Sequence, residues 1–376
     1  MAGIYIHIPF CRQACTYCNF HFSTSLAGKN AVIRAINSEI ILCDRFDDPS
    51  ENIDTIYFGG GTPSILSESE LSSIITAIYK KFKITKDAEI TIEANPDNID
   101  HANLQSWKQL GINRLSVGIQ SFQDKELKWM NRSHTAEESL RCLDEISNSG
   151  ITNFSVDLIY GSPLLNNDDF KMNVDLIFSK NVPHISCYAL TVEPKTALDA
   201  MIRQHKSPAV NSDRQSEQFL LLMEWMRLAG YEHYEISNFA KPGMHSRHNS
   251  SYWQGKPYYG FGPSAHSFNG TNIRRWNVAN NSLYVQSIEK LLIPSTEEIL
   301  TNTQRLNEYI MIALRTAEGL DTEKVKQKFG ENFKEKILHQ CKKYVDRGSI
   351  KLQDGRLILT DEGKLLADGI SADLFF

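Results

Sequence analysis

Six short β-rich runs between residues 3 and 192 are separated by longer helical patterns, and no other feature of the chain narrows its choice of fold as far. GIYIHIP (3–9) precedes a helix at 29–45, DTIYFGG (54–60) one at 67–82, and EITIEAN (89–95) one at 100–110. RLSVGIQ (114–120) precedes helices at 124–130 and 135–149, FSVDLIYG (154–161) one at 167–180, and HISCYALTV (184–192) closes the series. Strands separated by helices pair in parallel through right-handed crossovers, which predicts an α/β sheet or barrel. An antiparallel sheet with one solvated face would show the same residue alternation along each strand, but not the intervening helices.

Residues two apart on a strand share a face. In the third run Ile90, Ile92 and Ala94 oppose Thr91, Glu93 and Asn95; in the fourth Leu115, Val117 and Ile119 oppose Ser116, Gly118 and Gln120. The fifth sets Phe154, Val156 and Leu158 against Ser155 and Asp157, and the first sets Ile4, Ile6 and Ile8 against Tyr5 and His7. One face of each strand is apolar, for the helices to cover; the other is small or polar. A closed eight-stranded barrel fills its interior with bulky aliphatic layers, whereas this pattern predicts a wet lumen. Glu93 and Asp157 are costly to bury without partners, so the lumen is expected to hold a ligand.

Composition shifts after residue 200. A helix near 211–229 leads into residues 235–277, dense in Gly, Asn, His and aromatics and weakly periodic. A stretch of that length is a functional loop region on a scaffold or disorder, and its aromatic content favours the first. From about 296, amphipathic helices precede SIKLQDGRLILT, a hairpin with an Asp-Gly turn, and a last helix, the order of a winged-helix-like α+β module. The expected division is 1–200, a linking region 201–294, and 295–376. Winged helices often bind DNA, but a net charge of -5 and a pI near 6.1 lack the dense Lys and Arg that phosphate affinity requires, so no nucleic-acid partner is expected. No apolar run approaches the roughly 20 residues that span a bilayer, and MAGIYIHIPF has no basic n-region or cleavage site. A cytoplasmic protein is expected, and its seven cysteines, odd in number and mostly isolated, do not make a disulfide framework.

Three of the seven, Cys11, Cys15 and Cys18, crowd into FCRQACTYCNF (10–20) directly after the first strand, where α/β folds place chemistry. The spacing is C-x3-C-x2-C. A structural zinc wants four ligands in a closed tetrahedron, which His7 or His21 would complete. A [4Fe-4S] cluster held by three thiolates instead leaves one iron open to a substrate. GGGTP (59–63) ends the second strand, where glycines let backbone approach a ligand closely; without a Lys-Ser/Thr ending it is no P-loop.

The cysteine motif with its Tyr17, GGGTP, SVGIQSF, DLIYGSP, HNSSYW (248–253) and the winged C-terminal part together resemble the radical S-adenosylmethionine (SAM) superfamily. Within it the resemblance is to the group of oxygen-independent coproporphyrinogen III oxidase and its haem-chaperone relatives, and it covers nearly the whole chain. It implies a partial (β/α)6 barrel in which Cys11, Cys15 and Cys18 hold a [4Fe-4S] cluster whose open iron chelates SAM. It further implies that Gly60, Gly61 and Thr62 approach SAM, that Tyr5 and Tyr17 contact it, and that Glu93, Gln120, Arg132 and Asp157 supply polar contacts, with Ala189 a weaker match. No residue is assigned a catalytic role. Taken singly, each has a plain structural explanation: Tyr5 as core filler, Glu93 as a strand-end charge, Arg132 as a surface cation. Their convergence on one mouth points to function.

Two departures indicate the branch. The oxidases carry a fourth cysteine two residues after the third, and a long segment ahead of the first strand; here Phe20 occupies that place and the first strand begins at Gly3. The resemblance therefore implies a haem chaperone that passes haem to respiratory acceptor proteins, rather than a coproporphyrinogen III dehydrogenase acting by oxidative decarboxylation, and it weakens the case for a second SAM. In HNSSYW, His248 is the expected axial ligand, because haem iron takes a neutral imidazole, with Tyr252 and Trp253 as flat contacts and His245 or His266 as substitutes. A structural histidine in an aromatic loop fits the same spacing. An electron donor such as flavodoxin or ferredoxin is implied if SAM is cleaved, and transient membrane association and a homodimer are left open.

Overall fold

The strands expected from the alternation are β1 (Ala2–Ile8), β2 (Asn52–Gly60), β3 (Lys83–Ala94), β4 (Arg114–Gln120), β5 (Phe154–Tyr160) and β6 (His184–Ala189). Each pairs in parallel with the next in chain order. Between them run α1 (Lys29–Leu42), α2 (Glu68–Lys81), α3 (His101–Gln109), α4 (Asp124–Trp129), α5 (Ala136–Ser149) and α6 (Asn167–Ser179), with α7 (Ala197–Arg203) after β6. The computed structural model describes residues 1–44 and 52–376, so the last residue of the helix expected at 29–45 lies outside the described residues. Local chemistry starts these helices where the sequence turns polar: Ser67 with Glu70 and Thr135 with Glu138 form reciprocal capping boxes on α2 and α5.

The faces divide as the period-two pattern requires. Ile4, Ile6, Ile8, Ile56, Phe58, Ile92, Leu115, Val117, Val156 and Leu158 are buried under the helices, with Ile36, Ile74, Ile146, Phe170 and Ile177 opposite them. Burial of each such side chain is worth about 1.5–3 kcal/mol. On the other face the register sets Tyr5 beside Tyr57, Glu93 beside Ser116, and Asp157 beside Ser186.

The chain divides into two units, residues 1–211 with 256–298 and residues 212–255 with 299–376, so the stretch 201–294 is shared between them. α8 (Ser212–Leu228), β7 (Glu232–Glu235), β8 (Asn238–Ala240) and α9 (Arg247–Trp253) belong to the second unit; β9 (Tyr258–Phe261), β10 (His266–Phe268), β11 (Ile273–Asn277) and α10 (Asn281–Glu289) belong to the first, and β12 (Ser295–Ile299) spans the boundary. Residues 235–277 are thus built of short elements rather than loop alone. Strands of three to five residues are too short to show a period. β9 lies parallel to β1, with Gly3 beside Tyr258 and Ile6 beside Phe261, and β10 is antiparallel to β9 and β11. A buried carboxylate on α1 ties this extension down: Glu39 accepts from Gly262 N at 2.8 Å, Asn277 Nδ2 at 2.6 Å and the Tyr284 hydroxyl at 2.5 Å.

The second unit continues with α11 (Asn302–Leu314), β13 (Leu320–Asp321), α12 (Thr322–Phe329), α13 (Glu331–Asp346), β14 (Ile350–Gln353), β15 (Arg356–Leu359), α14 (Asp361–Lys364) and α15 (Ala367–Asp373). The helix-strand-helix-helix-strand-strand order is the expected winged-helix one, with antiparallel sheet order β13-β15-β14 over a core that includes Leu306, Ile310, Leu320, Ile337 and Leu357. Asp354 and Gly355 both take positive φ, 49° and 74°, as a two-residue hairpin turn demands. Among the described residues no helix is long and apolar enough to cross a membrane.

Candidate functional site

The cysteine loop leaves β1 and is closed by its own backbone: Cys11 N donates to Ser23 O at 3.0 Å and Ser23 N to Pro9 O at 2.9 Å. It is also tied outward, since Thr16 N donates to Met130 O at 3.0 Å and Leu198 N to Thr16 O at 2.8 Å. The glycines at the end of β2 cross this loop at backbone distance. Gly61 N donates to Ile8 O at 2.8 Å and Thr62 N to Phe10 O at 2.7 Å. Gly60 has φ 109°, and a Cβ there would stand 2.6 Å from the His7 ring. Only glycine meets both demands.

Above that crossing lies a cavity of about 480 Å³ at the C-terminal ends of the strands. Cys11, Cys15 and Cys18 line it, together with Tyr17, Gly60, Gly61, Thr62, Glu93, Gln120, Arg132, Asp157 and Ala189. Gln120 is held in the left-handed region at φ 71°, a conformation that costs a non-glycine residue of order 1–3 kcal/mol. Tyr5 and His248 are not among the lining residues. Tyr5 stacks on Tyr57 with centroids 6.1 Å apart, and its hydroxyl is 3.1 Å from His7 Nδ1. His248 sits on α9 in the second unit, its ring buried and its Nε2 2.9 Å from the Tyr252 hydroxyl. His245 pairs with Glu232 at 2.8 Å, and His266 stacks on Trp276.

The donor set discriminates between the two metal readings. His7 Nε2 is 2.9 Å from His21 O, and burial lowers the His7 pKa to about 4; His21 Nε2 is engaged with Asn281 Oδ1 at 2.8 Å. Among the described residues no three His, Cys, Asp or Glu side chains converge tightly enough to hold a single ion. With both imidazoles engaged, neither completes a closed tetrahedral zinc beside the three half-buried thiols, whereas three thiolates suffice for a [4Fe-4S] cluster with one open iron. Two buried atoms on lining residues, Asp157 Oδ1 and Arg132 Nε, lack a protein partner, as a polar ligand in the cavity requires.

Sequence reasoning missed the residue that fixes Glu93. Tyr57 donates its hydroxyl to Glu93 Oε1 at 2.9 Å, while Gly60 N donates to Oε2 at 3.1 Å. Applying the period-two rule to DTIYFGG would have found it, since Ile56 and Phe58 are buried on the opposite face. Desolvation raises the Glu93 pKa to about 7 against the pull of Tyr57, with the Asp157 charge adding to the rise; desolvation raises Asp157 to about 6, with Ser186 opposing. An acid that holds its proton more tightly when folded stabilises the fold below its unfolded pKa and loses that contribution as pH rises through the folded one. The Glu93 contribution to the stability of the cofactor-free chain is therefore expected to fall between about pH 4.5 and about pH 7, against a rise from the buried neutral His7, His134 and His233, so Glu93→Gln should gain on the order of 3 kcal/mol on the parent across this range. Thermal melts of parent and variant check it; a constant difference between the two would refute it.

The model of the radical SAM superfamily matches residues 5–177 and that of the HemN C-terminal domain residues 300–366. The heme chaperone HemW of Bacillus subtilis is 32% identical over 375 residues, 98% of each chain, and that of Synechocystis 37% identical over 327 residues, 84% of this chain and 78% of its own. Coproporphyrinogen III oxidase (HemN) from Escherichia coli, a radical SAM enzyme, superposes with a TM-score of 0.85 over 100% of this chain and 90% of its own at 22% identity, a likeness of fold. With its triple-cysteine loop, a cavity lined by Glu93, Gln120, Arg132 and Asp157, and full-length relatives, the chain belongs to the radical SAM superfamily, in the haem-chaperone HemW branch of the coproporphyrinogen III oxidase-like group.

Proposed function

We propose that the protein is a cytoplasmic haem chaperone that binds haem, carries a [4Fe-4S] cluster and SAM in its barrel, and delivers haem to acceptor proteins of the respiratory type. The observation that supports this most strongly is the alignment with a heme chaperone over 98% of both chains; Phe20 at the place of a fourth cysteine agrees with it. Cys11, Cys15 and Cys18 would hold the cluster. When bound, the cluster and SAM supply one-electron chemistry, for which a flavodoxin- or ferredoxin-type donor is needed only if SAM is cleaved. The chain's own residues bind and orient: Gly60, Gly61 and Thr62 leave backbone-close room, Glu93 and Asp157 present acceptors, Gln120 and Arg132 present donors, and Ala189 keeps the β6 side shallow. Tyr17 lines the wall between two cysteines, and Tyr5 stacks on Tyr57, whose hydroxyl holds Glu93.

The test is anaerobic reconstitution followed by EPR with and without SAM, haemin titration, and transfer to an apo-haem protein. Stoichiometric haem binding and transfer support the reading; vinyl-group formation from coproporphyrinogen III under anaerobic turnover would overturn it in favour of the dehydrogenase. His248 is the proposed axial ligand, and its Nε2 must exchange the Tyr252 hydroxyl for iron. His248→Ala is expected to shift and weaken the Soret band. Tyr252→Phe is expected to tighten binding by no more than a hydrogen bond's about 0.5–1.5 kcal/mol. An unchanged Soret band in His248→Ala would remove that residue from the haem site.

A further inference from the structure

Arg132 was expected to contact SAM, but its guanidinium points in part at a cysteine. Nη1 donates to Cys15 Sγ at 3.2 Å. The group is not free to swing: Nη2 donates to Asn95 Oδ1 at 2.8 Å and to Gly118 O on β4 at 2.7 Å. Asn95 is held in turn, its N–H donating to Ser64 Oγ at 3.3 Å while Ser64 Oγ donates to Asn98 Oδ1 at 3.0 Å. A Cβ at Gly118 would stand 3.3 Å from Arg132 Nη2 and 3.0 Å from Gln120 Nε2, so the glycine of SVGIQSF leaves the guanidinium its passage.

The cysteine side of the contact is pinned as firmly. Asn131, next in sequence to Arg132 and at φ 56°, donates from Nδ2 to Ala14 O at 2.7 Å and accepts from Gln13 Nε2 at 2.6 Å. Donor and sulfur therefore belong to one hydrogen-bonded frame that joins the ends of β3 and β4 to the cysteine loop. A guanidinium is not deprotonated in proteins, so the group held in this frame is a cation.

We propose that Arg132 is a positioning residue that sets the reduction potential of the cluster through its N–H···S bond to Cys15. The proposal rests on the reading that the three cysteines hold a [4Fe-4S] cluster. Hydrogen bonds to ligand sulfurs and local charge are the levers that tune such clusters, and in a poorly screened interior a fixed cation favours the more negative, reduced state. One electron is taken up from the reductant and no bond forms or breaks. Removing the cation and its N–H therefore lowers the potential.

The experiment is an EPR-monitored redox titration with dithionite as reductant, on anaerobically reconstituted full chain without SAM. Arg132→Met is expected to make reduction at least tenfold less favourable, about 59 mV for one electron. Arg132→Lys, which keeps the charge but not the planar fork, is expected to fall between. Asn95→Leu leaves the cation and the sulfur in place while releasing the anchor, and is expected to shift the potential in the same direction by less. It decides the matter if Arg132→Met does not assemble. Variants with full iron content and the parent's potential would overturn the proposal alone; a parent chain that assembles no reducible cluster would overturn the reading beneath it, and the proposal with it.

Discussion

Replacing any one of Cys11, Cys15 and Cys18 by serine is expected to reduce bound iron and sulfide to background and abolish the broad visible absorbance of the reconstituted protein. A three-thiolate site has no spare ligand: His7 and His21 are both engaged with other groups, and the residue at the fourth-cysteine position is Phe20. The loss should leave the fold intact, because the loop's backbone bonds and its ties to Met130 and Leu198 do not involve the thiols. Far-UV circular dichroism is expected to match the parent's. Cys142 and Cys341, both buried in helices and neither lining the cavity, supply the control: alanine at either should retain full iron. Desolvation raises the Cys11 pKa to about 11, and metal takes the thiolate, so assembly in the parent should quicken as pH rises through the neutral range. Iron retained by a Cys15→Ser chain at the parent's level would sink the assignment.

What the sequence revealed and what it hid separate along one physical line. Alternation within a strand is local, so Glu93 and Asp157 could be placed in the lumen, and Ile92 and Val156 under the helices, from period alone. Cap chemistry is local too, and helix bounds were read closely. Partner choice across long separations leaves no such trace. Glu39 looks like any polar residue in a helix, yet its three donors lie 223, 238 and 245 residues away. The pairing of β9 with β1 is equally non-local. In the site, the family resemblance places Arg132 among the SAM contacts, but nothing in the sequence marks its tie to Cys15, 117 residues distant. Tyr57 is the exception: its signal was local, in a strand whose alternation matches its neighbours.

Gly61→Ala is expected to damage the cluster site far more than one methyl group usually does, and the reason is what that methyl would meet. A Cβ at Gly61 would stand 2.6 Å from Phe10 O, 2.8 Å from Ile8 O and 2.8 Å from Phe10 N. All three are backbone atoms, so no rotamer change relieves the clash. The end of β2 must instead move away from the end of β1, stretching the bonds from Gly61 N to Ile8 O and from Thr62 N to Phe10 O. Overpacking of this kind costs about 1–3 kcal/mol of stability. The functional cost is larger, because Phe10 is the residue immediately before Cys11 and the displacement passes directly to a ligand. Iron retention after gel filtration is expected to fall severely in Gly61→Ala, while its cofactor-free melting temperature falls only modestly. Gly28 provides the contrast: it has ordinary φ of -93° and nothing within 4 Å of its Cβ position, so Gly28→Ala should keep full iron, and its stability should change by less than about 1 kcal/mol, because the entropy gained by losing a glycine is offset by placing alanine at the N-cap of α1. Equal iron retention in the two variants would mean that the close crossing of β2 over the cysteine loop does not position the ligands.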